Sequence, residues 1–459
     1  MSEDARATQI TITETGFPAE FAWGAATAAY QIEGAAAADG KGESIWDRFS
    51  HTPGAISDGS TGDVACDHYR LWQDDLDLLA SLRLNAYRFS VSWPRVFPEG
   101  RGAINPAGLD FYDRLVEGLL VRGIAPFITL YHWDLPQALQ EKGGWENRDT
   151  AFYFADFALA LARRLGDRVG RWITHNEPHV VVYEGYVKGD KAPGIRKPSL
   201  ILPISHHLLL SHGAATEALR SELPETARIG ITLNFADIEP ATDREADVQA
   251  ARVRDGLWHR LYLDPLYHGA YPEDILPLVS APPDLIRDGD LERIATPTDF
   301  LGVNYYTRSI IRAGRNGPDD PRSVPPRGAL TTMRWEVYPE GLTHVLRRLR
   351  DDYSPKALYV TENGAAYPDS VAPDGRIYDT QRETDIRRHL QATRDALAEG
   401  VPVRGYFVWS LMDNFEWQHG YAPRFGVAYT DYATQQRIPK ESARFLAAVA
   451  ATNGDALDE

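Results

Sequence analysis

A single cysteine stands among the 459 residues, so neither an intrachain disulfide framework nor a cysteine-rich metal site can be built. Cys66 therefore reads as a small buried hydrophobe. Positive charge is also scarce: 48 Lys and Arg face 65 Asp and Glu, for a formal net charge of −17. Binding a polyanion such as nucleic acid needs clustered cations, so the charge balance excludes that partner class and favours a neutral one. The acidic excess, for example Asp74, Asp75 and Asp77 on an expected helix, reads as a solvated surface. No window approaches the roughly 18 uninterrupted apolar residues of a membrane span. The opening MSEDARATQITITETG has neither a basic n-region nor an apolar h-region. These absences give the expectation of a soluble, cytoplasmic protein without a membrane partner. No motif speaks to its oligomeric state.

What is present is an ordinary globular composition, 43% hydrophobic and 25% charged, able to bury a large core. Eight short runs rich in β-branched and aromatic residues recur: Phe21–Ala28, Ala86–Val91, Ala125–Tyr131, Arg171–Thr174, Ala227–Leu233, Phe300–Val303, Ala357–Thr361 and Val403–Trp409. Helical patterns follow most of them, which is the signature of βα units around a parallel sheet, and eight is the barrel number. Between the second and third runs, Asn105 is a cap, Pro106 opens a helix, and Leu109, Tyr112, Val116, Leu119 and Leu120 form its apolar face before Gly123. Another helix starts near Thr380, carries Ile386, Leu390 and Leu397 on one side, and stops at Gly400. The Pro-rich, charged stretch Gly314–Arg327 falls between the sixth and seventh runs and reads as a long barrel loop. The expected fold class is thus α/β: one (β/α)8 TIM barrel over residues 1–459 with elaborated βα loops, an N-terminal extension at 1–16 and a C-terminal tail at 447–459.

Chemically capable residues gather at the C-terminal ends of these runs, where such a barrel places its site. His132 follows the third, Asn176 and Glu177 the fourth, Asn304 and Tyr306 the sixth, Glu362 the seventh, and Trp409 ends the eighth. A pair of carboxyl groups at one mouth suits glycoside hydrolysis: one protonates the leaving oxygen while the other attacks or stabilises the anomeric carbon. Pro178 disfavours helical backbone at Glu177, and Gly364 relieves the turn after Glu362, so both glutamates are expected on fixed strand ends.

The ordered blocks FAWGAATAAYQIEGA, YRFSVSWPRVFP, LYHWDLPQAL, THNEP, FLGVNYYT, WEVYPEGL, YVTENGAA and GYFVWSLMDNFEWQHGY resemble the family 1 glycoside hydrolases, the β-glucosidase family, from Phe17 to about Leu446. The resemblance implies a retaining β-glycosidase, most simply a β-glucosidase with β-fucosidase and β-galactosidase side activity. Its substrates would be β-glucosides or short β-linked gluco-oligosaccharides, with no cofactor and no metal. By the same resemblance Glu177 is the general acid and base and Glu362 the nucleophile, with carboxyl groups about 5 to 5.5 Å apart. Arg88 helps hold Glu362 as an anion, Tyr306 bonds to it, and Asn176 meets the 2-hydroxyl. Gln31, His132, Asn176, Asn304, Tyr306, Trp409, Glu416 and Trp417 match the residues lining the sugar pocket. Trp335 matches an aglycone wall, although Arg334 stands where the family usually has a smaller residue. Glu416 would oppose a phosphate on O6 of the sugar, and no lysine of the phospho-specific kind precedes Arg424 in that loop.

Weaker signals are set aside. His206, His207 and His212 lie in a leucine-rich helical stretch and read as structural. Gly40, Lys41 and Gly42 lack the rest of a phosphate loop. The competing readings are a noncatalytic sugar-binding barrel, which has no need of two intact glutamates, a thioglycosidase, a 6-phospho-β-glycosidase and a transglycosylase. The thioglycosidases of plants carry glutamine where Glu177 stands.

Overall fold

The computed structural model describes residues 12–459. Of the expected N-terminal extension, residues 1–11 lie outside this range. Eight parallel strands close into a ring: β1 (Ala22–Ala26), β2 (Ala86–Ser90), β3 (Ala125–Tyr131), β4 (Arg171–Asn176), β5 (Arg228–Pro240), β6 (Phe300–Gly314), β8 (Leu358–Asn363) and β9 (Val403–Trp409). Pairing of β1 with both β2 and β9, and of β5 with β6, completes the (β/α)8 barrel. A ninth strand of the same sheet, β7 (Gly317–Ser323), pairs antiparallel with the outer part of β6. The stretch expected to be a loop is therefore a hairpin that carries β6 well past the barrel.

Inside the ring, side chains fill the space in a layer: Phe127 meets Phe407 at 4.8 Å and Tyr359 at 5.4 Å, and Phe300 meets Tyr359 at 5.2 Å between ring centroids. Such rings fit only where neighbours are small. A Cβ on Gly24 would stand 2.3 Å from the Phe407 ring, so this strand position has to be glycine.

The helix Pro106–Leu120 begins as its sequence indicates, but Asn105 makes no side-chain cap and instead donates to the carbonyls of Asp39 and Arg95. Its buried face is Phe111, Tyr112, Leu115, Val116 and Leu119, while Leu120 turns outward. The helix Thr380–Ala398 buries Ile386, Leu390 and Leu397 as expected. On the helix His68–Ser81, Asp74 and Asp77 are exposed, but Asp75 is fully buried. Its carboxylate accepts from Arg437 Nε at 2.9 Å and lies 2.8 Å from His68 Nδ1. The expectation of a solvated group was wrong for Asp75, because two partners distant in sequence or along the helix compensate its burial.

Residues 447–459 are not a loose tail. The helix Glu441–Ala451 runs into them, Val449 and Leu457 are buried, and Asn453 accepts from Trp23 Nε1 at 3.0 Å beneath β1. Cys66 is a buried free thiol, and burial pushes it up to about 12. Each of the three helical histidines meets a protein partner: His206 Tyr271 and Asp290, His207 the Trp145 carbonyl, and His212 Thr174. Among the described residues no helix is long and apolar enough to cross a membrane.

Candidate active site

Glu362 lies in β8 and Glu177 one residue beyond β4, both at the C-terminal mouth of the barrel. Glu177 does not continue the strand: it adopts a left-handed backbone with φ 51° and ψ 63°. The ring of Pro178 removes the right-handed helical basin for the preceding residue, and the left-handed one is occupied instead of the extended one. The Glu177 amide donates to the Thr232 carbonyl at 2.9 Å and its own carbonyl receives the Val180 amide at 2.9 Å, which pins this conformation. Gly364 serves close approach rather than a strained turn. A Cβ there would stand 1.8 Å from the Trp409 carbonyl oxygen, so the strand ends carrying Glu362 and Trp409 can touch only through glycine.

The two carboxyl groups have different neighbours. Arg88, on β2 and 1% exposed, donates from Nη1 to Glu362 Oε1 at 2.6 Å, and the Tyr306 hydroxyl donates to Oε2 at 2.7 Å. Among the described residues Glu177 Oε1 receives only the neutral Asn304 Nδ2, at 2.7 Å. Burial foremost, then the charge of Glu362, pushes Glu177 up to about 8. Burial also raises Glu362, but Arg88 and the Tyr306 hydrogen bond pull it back. With both oxygens of Glu362 bonded to donors, the shared proton belongs on Glu177.

Beneath them runs a buried amide network. Asn176 Oδ1 accepts from Arg88 Nη2 at 2.6 Å and from Asn304 Nδ2 at 3.0 Å, so its Nδ2 must be the atom 3.0 Å from His132 Nε2. His132 Nε2 is then an acceptor and its proton sits on Nδ1. Burial holds the ring well below the ordinary histidine value, so it stays neutral. Asn304 is oriented in turn by Thr361 Oγ1, which donates to its Oδ1 at 2.8 Å. His132 Nδ1 and Gln31 Oε1 are buried and have no partner among the described residues: a donor and an acceptor available to a ligand rich in hydroxyls.

A cleft of about 400 Å³ opens above this network, walled by His132, Glu177, Tyr306, Trp335, Glu362, Trp409, Glu416 and Trp417 among others. Gln31 lies behind Glu416, with its Nε2 on the Phe415 carbonyl at 2.8 Å and 3.5 Å from Glu416 Oε2. Burial, then the charge of Glu362, raises Glu416 to about 7, against the pull of Lys191 and Gln31. A larger concavity of about 740 Å³ around Tyr267, His268 and Glu292 contains none of the mouth residues. Arg334 is exposed and left-handed at φ 64°, while Trp335 reaches the cleft and stands 5.2 Å from the Tyr306 ring. Of the site residues read from the sequence, His132, Glu177, Tyr306, Trp335, Glu362, Trp409, Glu416 and Trp417 line the cleft, and Gln31, Arg88, Asn176 and Asn304 hydrogen-bond to them from behind.

Sequence reasoning missed Trp133, His179, Lys191, Trp258, Met333 and Phe425, all of which line the cleft. Trp133 had a local signal, since it follows His132 in LYHWDLPQAL. Lys191 had none. Its Nζ donates to Gln418 Oε1 at 2.7 Å across 227 positions of sequence. The loop before Arg424 carries no lysine of its own, yet the fold supplies one from elsewhere.

The family model described as glycosyl hydrolase family 1 matches residues 13–455. Beta-glucosidase A of Thermotoga maritima is 46% identical over 440 residues, spanning 95% of this chain and 98% of that protein. The bifunctional beta-D-glucosidase/beta-D-fucosidase of Bifidobacterium breve is 44% identical over 450 residues, spanning 93% and 96%. Among solved structures, the Thermotoga maritima beta-glucosidase in complex with deoxynojirimycin superposes with a TM-score of 0.93 at 45% identity, covering 95% of this chain and 99% of that one.

Proposed function

The chain belongs to glycosyl hydrolase family 1, and from that premise we propose that it is a retaining β-glucosidase acting through Glu362 as nucleophile and Glu177 as acid and base. The observation that carries the assignment is the asymmetry of the pair: a cation and a phenol on Glu362, a neutral amide alone on Glu177. An anion held by fixed donors is ready to attack the anomeric carbon, and a buried carboxylic acid is ready to give its proton to the departing glycosidic oxygen. Attack turns Glu362 into an ester and removes its charge. The second cause of the raised Glu177 value disappears with that charge, so Glu177, having given up its proton, stays ionised and is available as the base. It takes a proton from water as the water attacks the ester-linked carbon from the face the aglycone left. Two inversions return the β configuration, and Glu177 regains its proton.

The same proposal assigns the sugar to the Trp409 and Trp417 faces, its hydroxyls to Gln31 Oε1, His132 Nδ1, Asn176 and Glu416, and the aglycone to the Trp335 wall. β-Glucosides and short β-linked gluco-oligosaccharides are the proposed substrates, with β-fucosides and β-galactosides secondary. The residues from 1 to 459 would act as one catalytic domain. A cytoplasmic location belongs to the proposal as well. The test is Glu362→Gly. Glycosylation should cease, and azide should restore turnover while yielding the α-configured glucosyl azide. Undiminished hydrolysis by the variant would remove Glu362 from its role.

A further inference from the structure

Resting on the β-glucosidase reading and its assignment of Gln31 and Glu416 to the sugar, we propose that Lys440 is a positioning residue for the sugar wall. It is not one of the residues lining the cleft. It stands immediately before the helix Glu441–Ala451 and is fully buried. Its Nζ donates to Asp413 Oδ1 at 2.8 Å and to Asp369 Oδ2 at 2.6 Å. Asp413 belongs to the loop that follows β9, and Asp369 to the loop that follows β8. A buried ammonium needs its charge answered, and here two carboxylates from different loops answer it, so the one cation ties those loops together.

The rest of the cluster keeps the charges equal. Arg382, on the helix Thr380–Ala398 and fully buried, donates from Nη2 to Asp369 Oδ2 at 2.8 Å and from Nη1 to Asp379 Oδ2 at 2.5 Å. Its Nε reaches the Ala365 carbonyl at 3.2 Å, close behind Glu362 in sequence. Arg424 donates to Asp413 Oδ2 at 2.6 Å. Asp369, Asp379 and Asp413 thus meet Lys440, Arg382 and Arg424. Buried ion pairs add little stability over well-packed apolar residues, since desolvation offsets most of the attraction. What they add here is direction: each oxygen of Asp413 has a fixed charged donor, so its loop has one register.

Asp413 directly precedes the residues that orient the sugar-binding groups. Asn414 Oδ1 and the Phe415 carbonyl accept from Gln31 Nε2 at 3.0 and 2.8 Å, which sets the way the Gln31 amide faces and leaves its Oε1 for a hydroxyl. The Asn414 amide is itself fixed by donating to Ser410 Oγ and the Met412 carbonyl, both at 3.0 Å. Glu416 comes next, its Oε2 3.5 Å from the same Gln31 nitrogen. A shift of Asp413 therefore carries the Gln31 amide and the Glu416 carboxylate with it. Asn176 is held separately, by Arg88, Asn304 and His132, none of them a hydrogen-bond partner of the cluster among the described residues. Loosening the cluster should weaken the grip on one part of the sugar and leave the other.

The experiment sets two ratios of kcat/KM against each other in the full-length enzyme. The first is 4-nitrophenyl β-glucoside over the β-xyloside, which lacks the hydroxymethyl group at the Glu416 end. The second is the β-glucoside over its 2-deoxy counterpart, which lacks the hydroxyl given to Asn176. In Lys440→Met the first ratio should fall about threefold or more, because small misplacement of a binding group is costly, while the second should stay within about twofold. Each ratio is taken within one preparation, so partial loss of folded enzyme cancels. Should Lys440→Met not fold, Asp369→Asn, which keeps the side-chain volume and leaves Lys440 on Asp413, is read by the same criterion. A smaller fall in the first ratio or a larger change in the second overturns the positioning role. So does failure of both variants to fold, which would make the cluster a requirement of the barrel alone. A wild type that cleaves the xyloside as well as the glucoside overturns instead the assignment of Glu416 to the sugar, and one that cleaves neither overturns the β-glucosidase reading.

Discussion

Replacing Glu177 by glutamine tests the proton assignment directly, because the substitution keeps the shape and removes the titration. Asn304 Nδ2, 2.7 Å from Glu177 Oε1, can donate equally well to an amide oxygen, so the side chain should stay in place. Burial and the charge of Glu362 push Glu177 up to about 8, so most sites hold the proton at neutral pH and lose it as pH rises through that value. The proton is needed for glycosylation, hence kcat/KM should decline as pH rises through 8. In Glu177→Gln that alkaline limb should vanish. Loss of a positioned general acid costs about 10²- to 10⁴-fold, but only where the leaving group needs the proton. Cellobiose and methyl β-glucoside should lose that much in kcat/KM, whereas 2,4-dinitrophenyl β-glucoside should lose less than about tenfold. The assay is a set of kcat/KM values for leaving groups of graded basicity, each at several pH values. An equal loss for every leaving group, or an alkaline limb that persists near pH 8 in the variant, would refute the reasoning.

Tyr306→Phe removes a donor that pulls the Glu362 value down, so the acid limb of kcat/KM should move to higher pH; an unmoved limb would show that the hydroxyl does not act on the nucleophile. Gly364→Ala places a Cβ against the Trp409 carbonyl, and such overpacking should destabilise by about 1 to 3 kcal/mol or more. Unfolding in urea together with KM for a glucoside checks it, and wild-type values for both would contradict the close-approach account. Glu416→Gln should narrow the preference for glucoside over glucoside 6-phosphate, because the wild-type carboxylate opposes the phosphate. The two substrates compared in both enzymes decide this, and a wild type that uses the phosphorylated one equally well defeats it.

The ends of β3 and β9 coincide with the runs Ala125–Tyr131 and Val403–Trp409, because a strand buried on both faces announces itself as an apolar stretch bounded by breakers. β5 and β6 run far beyond their apolar runs: outside the barrel they are held by pairing with each other and with β7, and backbone ladders leave no mark on hydropathy. The blocks THNEP and YVTENGAA place two glutamates at strand ends, and local spacing suffices for that. Which of the two holds the proton depends on Arg88 and Tyr306, 274 and 56 positions from Glu362. The tautomer of His132 depends on which way the Asn176 amide faces, which Arg88 decides. Asp75 looks like any other acidic surface residue until Arg437 arrives from 362 positions away, and Lys191 looks like a loop lysine until Gln418 meets it. Periodicity and turn chemistry are properties of neighbours along the chain, so the barrel and the strand-end positions of Glu177 and Glu362 could be read from the sequence alone. Protonation, tautomer and charge balance are properties of neighbours in space, where burial strengthens every electrostatic interaction, and only the closed barrel brings those neighbours together.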